Sequence, residues 1–129
     1  MTQHIILIAL GGSVGAVARY GLSAYLSNAV SQTLPVGTFA VNMIGSFLIG
    51  VLVEMSDSAI VSPEWRGFLM IGLLGAFTTF STFSLETVQL IRDIEAGLAL
   101  ANAVGSLVIG LLFVYAGLYA GKLALKAIS

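Results

Sequence analysis

Residues 72–86 read Gly72-Leu-Leu-Gly75-Ala-Phe77-Thr78-Thr79-Phe80-Ser81-Thr82-Phe83-Ser84-Leu85-Glu86, so hydroxyls, aromatic rings and one carboxylate follow two glycines. At helical spacing Phe77, Phe80, Ser81 and Ser84 share one face,. Thr79, Thr82, Phe83 and Glu86 share an adjoining face,. Hydroxyls that interleave with rings along a half-helix and end at a carboxylate make a polar track, a feature of transport. The bland alternative has the rings facing lipid or core and the hydroxyls bonded to their own backbone. No His/Cys/Asp/Glu cluster or nucleophile–base arrangement can be assembled from the chain, so no enzyme is expected,.

Two polar residues elsewhere could join such a track. Asn42 offers two amide donors, which either meet an anion or tie helices together,. Arg19 either snorkels to the interface or makes a positive vestibule for anions,. His4 has no partner in the sequence and is assigned no role.

The elements that must position these residues follow from composition. Of 129 residues, 58% are hydrophobic and 9% charged, against about 25% charged in an ordinary soluble domain. The mean hydropathy is +1.05. A chain like this folded in water would expose large apolar patches, so the bilayer is its solvent. Five basic and six acidic residues leave a net charge of −1 and no basic surface for nucleic acid,. With no cysteine there is no disulfide, thiolate metal site or thiol nucleophile,.

Hydropathy predicts an all-α membrane protein, one domain over 1–129, with four spans at about 5–26, 36–53, 63–91 and 96–120,. The third opens with Ser62 as N-cap, Pro63 at the first position and Glu64 in the first turn,. Trp65 and Arg66 suit an interfacial belt,. No basic leader or cleavage signature precedes the first span, which is expected to be retained,.

As a continuous helix, the third span would extend about 43 Å, beyond the roughly 30 Å of hydrocarbon. Its glycines and adjacent threonines make poor helix, and Thr78 falls near the midplane. A break there frees carbonyls that lipid cannot satisfy, and such carbonyls must face water, polar groups or a cation. The alternative is an unbroken helix with hydroxyls bonded back one turn.

Small residues recur at four-residue spacing: Gly11 and Gly15, Ser46 and Gly50, Gly117 and Gly121. They predict close helix packing, and with so little core in four helices, oligomerisation. Asn42-Met-Ile-Gly45-Ser46-Phe-Leu-Ile-Gly50 resembles Asn102-Ala-Val-Gly105-Ser106-Leu-Val-Ile-Gly110, through either duplication or shared packing demands. An even number of spans puts Arg66, Lys122 and Lys126 on one side and Arg92, with Arg19 if it reaches the interface, on the other. That is a feeble positive-inside bias, so both insertions are open and an antiparallel pair is available.

The run from Gly75 to Glu86 resembles the third-span signature of the Fluc (CrcB) family of fluoride ion channels. Gly11-Gly12-Ser13-Val-Gly15-Ala-Val-Ala-Arg19-Tyr20 is similar to its first-span motif, and Gly37-Thr38-Phe39-Ala-Val-Asn42-Met-Ile-Gly45-Ser46 to its second. The likeness covers essentially the full chain. It is thinnest in the fourth span, where Asn102 replaces a tyrosine found in many members.

The resemblance implies a dual-topology antiparallel homodimer in the cell (inner) membrane, with two fluoride pathways. Phe80 and Phe83 would line each pathway, holding a small anion by their positive ring edges. Asn42 would donate hydrogen bonds, and Ser81, Thr82, Ser84 and Glu86 would belong to the track. Gly75 and Thr78 would give backbone carbonyls to a central structural sodium ion. Arg19 would sit towards a pore mouth or support its geometry. A small dual-topology proton-coupled exporter is the alternative, but it needs a titratable group in mid-span, and Glu54 and Glu86 lie near span ends,. A non-conducting assembly subunit is a third reading.

Overall fold

The structure is a computed structural model, and it describes residues 1–128. Four helical spans are long and apolar enough to cross a membrane. They are α1 (Thr2–Ala29), α2 (Val36–Asp57), a third span (Pro63–Arg92) and a final helix (Ala96–Ile128). The third span is composite: α3 (Pro63–Arg66), a π-helical stretch (Gly67–Leu74), α4 (Gly75–Phe77) and α5 (Phe80–Arg92). The final helix is α6.

Helix ends follow local chemistry. Ser62 Oγ accepts from the Trp65 amide at 3.5 Å, and Pro63 opens α3 with Glu64 in its first turn, as the sequence predicts,. After α2 and after α5 the chain turns through two Schellman motifs. In the first, Ile60 N–H donates to Met55 O and Ala59 N–H to Ser56 O. In the second, Glu95 N–H donates to Leu90 O and Ile94 N–H to Ile91 O. The left-handed residues are Ala59 (φ 58°) and Ile94 (φ 63°), while no glycine has positive φ.

The chain's glycines instead admit close helix contacts. α1 lies against the π stretch, where a Cβ on Gly11 would overlap the Phe68 carbonyl and one on Gly15 the Leu73 carbonyl. α2 lies against α6, where a Cβ on Gly117 would overlap the Phe47 carbonyl. These glycine pairs therefore pack helices within one chain. Lipid tails are as apolar as leucine, so close backbone approach replaces the hydrophobic drive that would join such helices in water.

The repeated motifs of α2 and α6 do not pair in register. Gly110 meets Met43 and Ser46, whereas Gly50 meets Val114, Gly117 and Leu118. The two helices run in the same direction but staggered, so Asn42 and Asn102 face different neighbours.

The small core gathers Val41, Leu74 and Phe77, with Leu22, Ile49, Leu52 and Leu73 around it. Phe77 corrects one expectation. It belongs to the half-helix before the break and is buried, so it does not continue the face of Phe80, Ser81 and Ser84. Helical spacing fails as a guide across a break, because the turn angle is lost there.

Candidate ion pathway

The third span breaks at the paired threonines. Thr78 (ψ 156°) and Thr79 (φ −148°, ψ 120°) are extended. Thr78 donates both its amide and its hydroxyl to the Leu74 carbonyl, each at 3.0 Å, closing the first half-helix. Thr79 caps the second: its Oγ1 accepts from the Thr82 amide at 3.2 Å and donates to Thr82 Oγ1 at 3.0 Å,. Thus one threonine ends a helix and the next begins one.

Helices α1 and α2 hold the break from two sides. Asn42 on α2 accepts from Thr79 N–H at 2.8 Å and donates to Thr79 O at 3.0 Å. One N–H of its amide remains for another acceptor. A Cβ on Gly45, three residues further along α2, would overlap Thr78 Cγ2, so a larger residue there must displace the Thr78 side chain. Arg19 on α1 turns inward and donates from Nε to the Ala76 carbonyl at 3.0 Å. That bond directs Arg19 into the bundle, toward the carbonyl end of the first half-helix.

In an unbroken helix the amides of Thr79, Phe80 and Thr82 would bond the carbonyls of Gly75, Ala76 and Thr78. Instead Thr79 N–H goes to Asn42, Thr82 N–H to Thr79 Oγ1, and Arg19 takes the Ala76 carbonyl. Among the described residues no backbone bond closes on the Gly75 or Thr78 carbonyl across the break. Neutral, hard oxygen donors freed at mid-span suit an alkali cation. No group of three or more His, Cys, Asp or Glu that could hold a metal occurs among the described residues.

On one side of the break an open groove of about 680 Å³ is lined by Asn42, Gly75, Thr78, Phe80, Phe83 and Ser106, among others. None of its lining residues is charged. The Phe80 and Phe83 rings lie 5.7 Å apart between centroids, tilted by 44°. Phe80 is 80% exposed in the single chain.

The remaining track residues divide. Ser84 Oγ donates to Phe80 O at 2.9 Å, within its own helix, as the bland reading expects. Ser81 is exposed, with Oγ 3.5 Å from Thr79 Oγ1. Thr82 lines a cavity of about 250 Å³ with Arg19, Ser23, Thr38 and Thr79. Glu86 lines a second one of about 580 Å³, with Ser27, Gln32, Thr33, Gln89 and Arg92. Thr38 joins the two: 4% exposed, it donates to Glu86 Oε1 at 2.7 Å. Glu86 Oε2 is buried with no partner among the described residues.

Sequence reasoning assigned no pathway role to Thr38, Thr87 or Asn102, each of which the structure brings into a side-chain hydrogen bond here. Thr38 stands one turn before Asn42 on the same face of α2, a periodicity that could have revealed it,. Thr87 and Asn102 form a link between α5 and α6: Asn102 Nδ2 donates to Thr87 Oγ1 at 2.9 Å, and Thr87 donates to Phe83 O at 2.8 Å. Nothing in the apolar pattern around Thr87 singles it out.

Comparison with known proteins finds a family model, CrcB-like protein, Camphor Resistance (CrcB), that matches residues 6–118. A relative from Geotalea daltonii named Fluoride-specific ion channel FluC is 45% identical over 121 residues, covering 93% of this chain and 98% of its own. A Thermus thermophilus protein of that name is 44% identical over 115 residues, covering 89% of this chain and 91% of its own. One from Shewanella baltica is 44% identical over 115 residues, with 89% and 93% covered. With a match over nearly the whole chain and four membrane-crossing helices, this multi-pass membrane protein belongs to the CrcB-like family.

Proposed function

We propose that the chain is a passive, fluoride-selective channel, not an enzyme, and that it exports fluoride across the cell (inner) membrane. Relatives over most of its length carry the name fluoride-specific ion channel. The observation that carries the reading is the uncharged groove beside the helix break, where Asn42, Phe80 and Phe83 stand together. Fluoride is compact and tightly hydrated, so a pore must replace its water with several short-range donors. An amide N–H, hydroxyls and aromatic edges supply these without a fixed cation that would trap the ion.

In this reading the ion passes from Phe80, Phe83 and Asn42 along Ser81 and Thr82 to the Thr38–Glu86 pair. It leaves through the cavity edged by Gln32, Gln89 and Arg92. Ser84, bonded to its own helix, supports the track rather than lining it. Rejection of the larger chloride ion rests on narrowness and on the placement of the donors.

The working unit is an antiparallel homodimer with two pathways. An exposed Phe80 at the mouth of an apolar groove supports a second copy as its cover, and the small number of basic residues on either face, three against one, leaves only a feeble bias against opposite insertion,. The Gly75 and Thr78 carbonyls fit a central sodium ion, which would supply the positive charge these oxygens lack.

The test is flux in liposomes. Purified protein is expected to release fluoride and not chloride. Phe80→Ile and Phe83→Ile are each expected to slow release at least a hundredfold with the oligomer unchanged. Equal chloride release, or full fluoride release in both variants, would overturn the reading; uptake driven by a pH gradient would favour the proton-coupled exporter. Replacing sodium with N-methyl-D-glucamine during purification tests the cation.

A further inference from the structure

Three observations meet at the carbonyl end of the first half-helix. Gly11, Gly15 and Arg19 lie at successive four-residue steps on one face of α1, and all three reach the third span,. The segment that Gly11 and Gly15 reach is π-helical from Gly67 to Leu74, an uncommon geometry in a run this long,. The i→i+5 bonding of that stretch turns the chain through a smaller angle per residue than an α-helix does, so it resets the direction in which later carbonyls point. At its end, Arg19 Nε holds the Ala76 carbonyl at 3.0 Å.

The backbone contacts leave no slack. A Cβ on Gly15 would overlap the Leu73 carbonyl, and one on Gly72 would overlap the Ile8 carbonyl. The π stretch is therefore seated on α1, and Arg19 fixes the free end that follows it. A cation at a helix C-terminus is favoured by the helix dipole. A guanidinium there also competes with any other cation for the same oxygens, so which carbonyl it takes decides which remain.

We infer that Arg19 is a positioning residue for the carbonyl cluster, acting through Ala76. By occupying that one carbonyl it keeps the half-helix at the azimuth set by α1 and the π stretch. The Gly75 and Thr78 carbonyls are then left to a small cation. The inference rests on the sodium reading above. It replaces a general positive charge in a vestibule with one directed N–H bond, which a lysine cannot reproduce because its ammonium is a compact point charge on a flexible stem.

The experiment measures fluoride efflux against sodium concentration for the full-length protein, Arg19→Lys and Arg19→Gln. Half-saturating sodium is expected to rise at least tenfold in both variants, with excess sodium restoring efflux. A wild-type sodium curve in Arg19→Lys, with Arg19→Gln slower at every sodium concentration, would overturn the inference and mark the charge as acting on the anion directly. A second measurement needs no Arg19 variant. The side-chain Nε resonance of Arg19 in ¹⁵N-labelled wild-type protein, assigned with Arg66→Lys and Arg92→Lys, is expected to move when N-methyl-D-glucamine replaces sodium. A resonance that stays in place would overturn it too. Wild-type protein whose efflux and Nε resonance both ignore sodium would instead sink the sodium reading itself.

Discussion

The Asn42 side chain grips the backbone of Thr79 at both ends, accepting its N–H at 2.8 Å and donating to its carbonyl at 3.0 Å. Only a carboxamide of this length does both from α2. Asn42→Asp keeps the acceptor but turns two oxygens toward a carbonyl and an anion route. Asn42→Leu leaves both Thr79 groups, which are part-buried, without this partner, where full burial would cost about 1–3 kcal/mol for each. Fluoride efflux is expected to fall at least tenfold in either variant. Asn42→Leu is also expected to lower the thermal midpoint in detergent, read by circular dichroism.

The Thr38 hydroxyl is the one side-chain donor to Glu86 among the described residues, and it is buried. Thr38→Val preserves shape and removes the donor, leaving both carboxylate oxygens without a protein partner. Efflux is expected to drop at least tenfold while the oligomer elutes unchanged, and Thr38→Ser is expected to recover most of it. Equal efflux from the valine variant would remove Thr38 from the route.

The spans and the site of the break were legible because composition and the Gly75–Thr79 run act locally. Apolar length demands a bilayer, and paired threonines close one helix and cap another. The π stretch was not legible. Gly67–Leu74 is apolar all round, so no periodicity in it distinguishes i→i+4 from i→i+5 bonding. The stretch lies against α1, where Gly11 and Gly15 meet the Phe68 and Leu73 carbonyls, a contact no local pattern announces. Arg19 could be read two ways for a related reason: its partner is a carbonyl 57 residues away, exposed only once the helix has broken. Thr38 passed as another helical hydroxyl because its partner, Glu86, is 48 residues distant.

Glycine is placed against its usual habit. The left-handed position of each Schellman motif holds Ala59 or Ile94, where a side chain is unfavourable and a β-branched one most so,. For Ile94, relieving this costs nothing in buried contact, because the residue is 90% exposed. Ile94→Gly removes about 1–2 kcal/mol of backbone strain and adds about 0.5–1 kcal/mol of unfolded-chain entropy. A net gain of about 1 kcal/mol is expected as a raised thermal midpoint in detergent. Ile94→Val, which keeps the branch, is expected to show none.

Inside the helices the same residue is indispensable at some positions and idle at others. At Gly117 a Cβ would overlap the Phe47 carbonyl and crowd Gly50, so alanine must push α2 and α6 apart. At Gly21, in the middle of α1, a Cβ meets nothing within 4 Å. Gly117→Ala is therefore expected to cost about 1–3 kcal/mol through overpacking. Gly21→Ala is expected to gain up to about 1 kcal/mol from helix propensity alone. Thermal unfolding of the two variants in the same detergent should move their midpoints in opposite directions. The carbonyl of Phe47 decides the sign in the first case, since backbone cannot swing aside as a side chain can. Equal midpoints would mean that α2 and α6 are not held backbone to backbone, and would remove close glycine packing as what joins these helices.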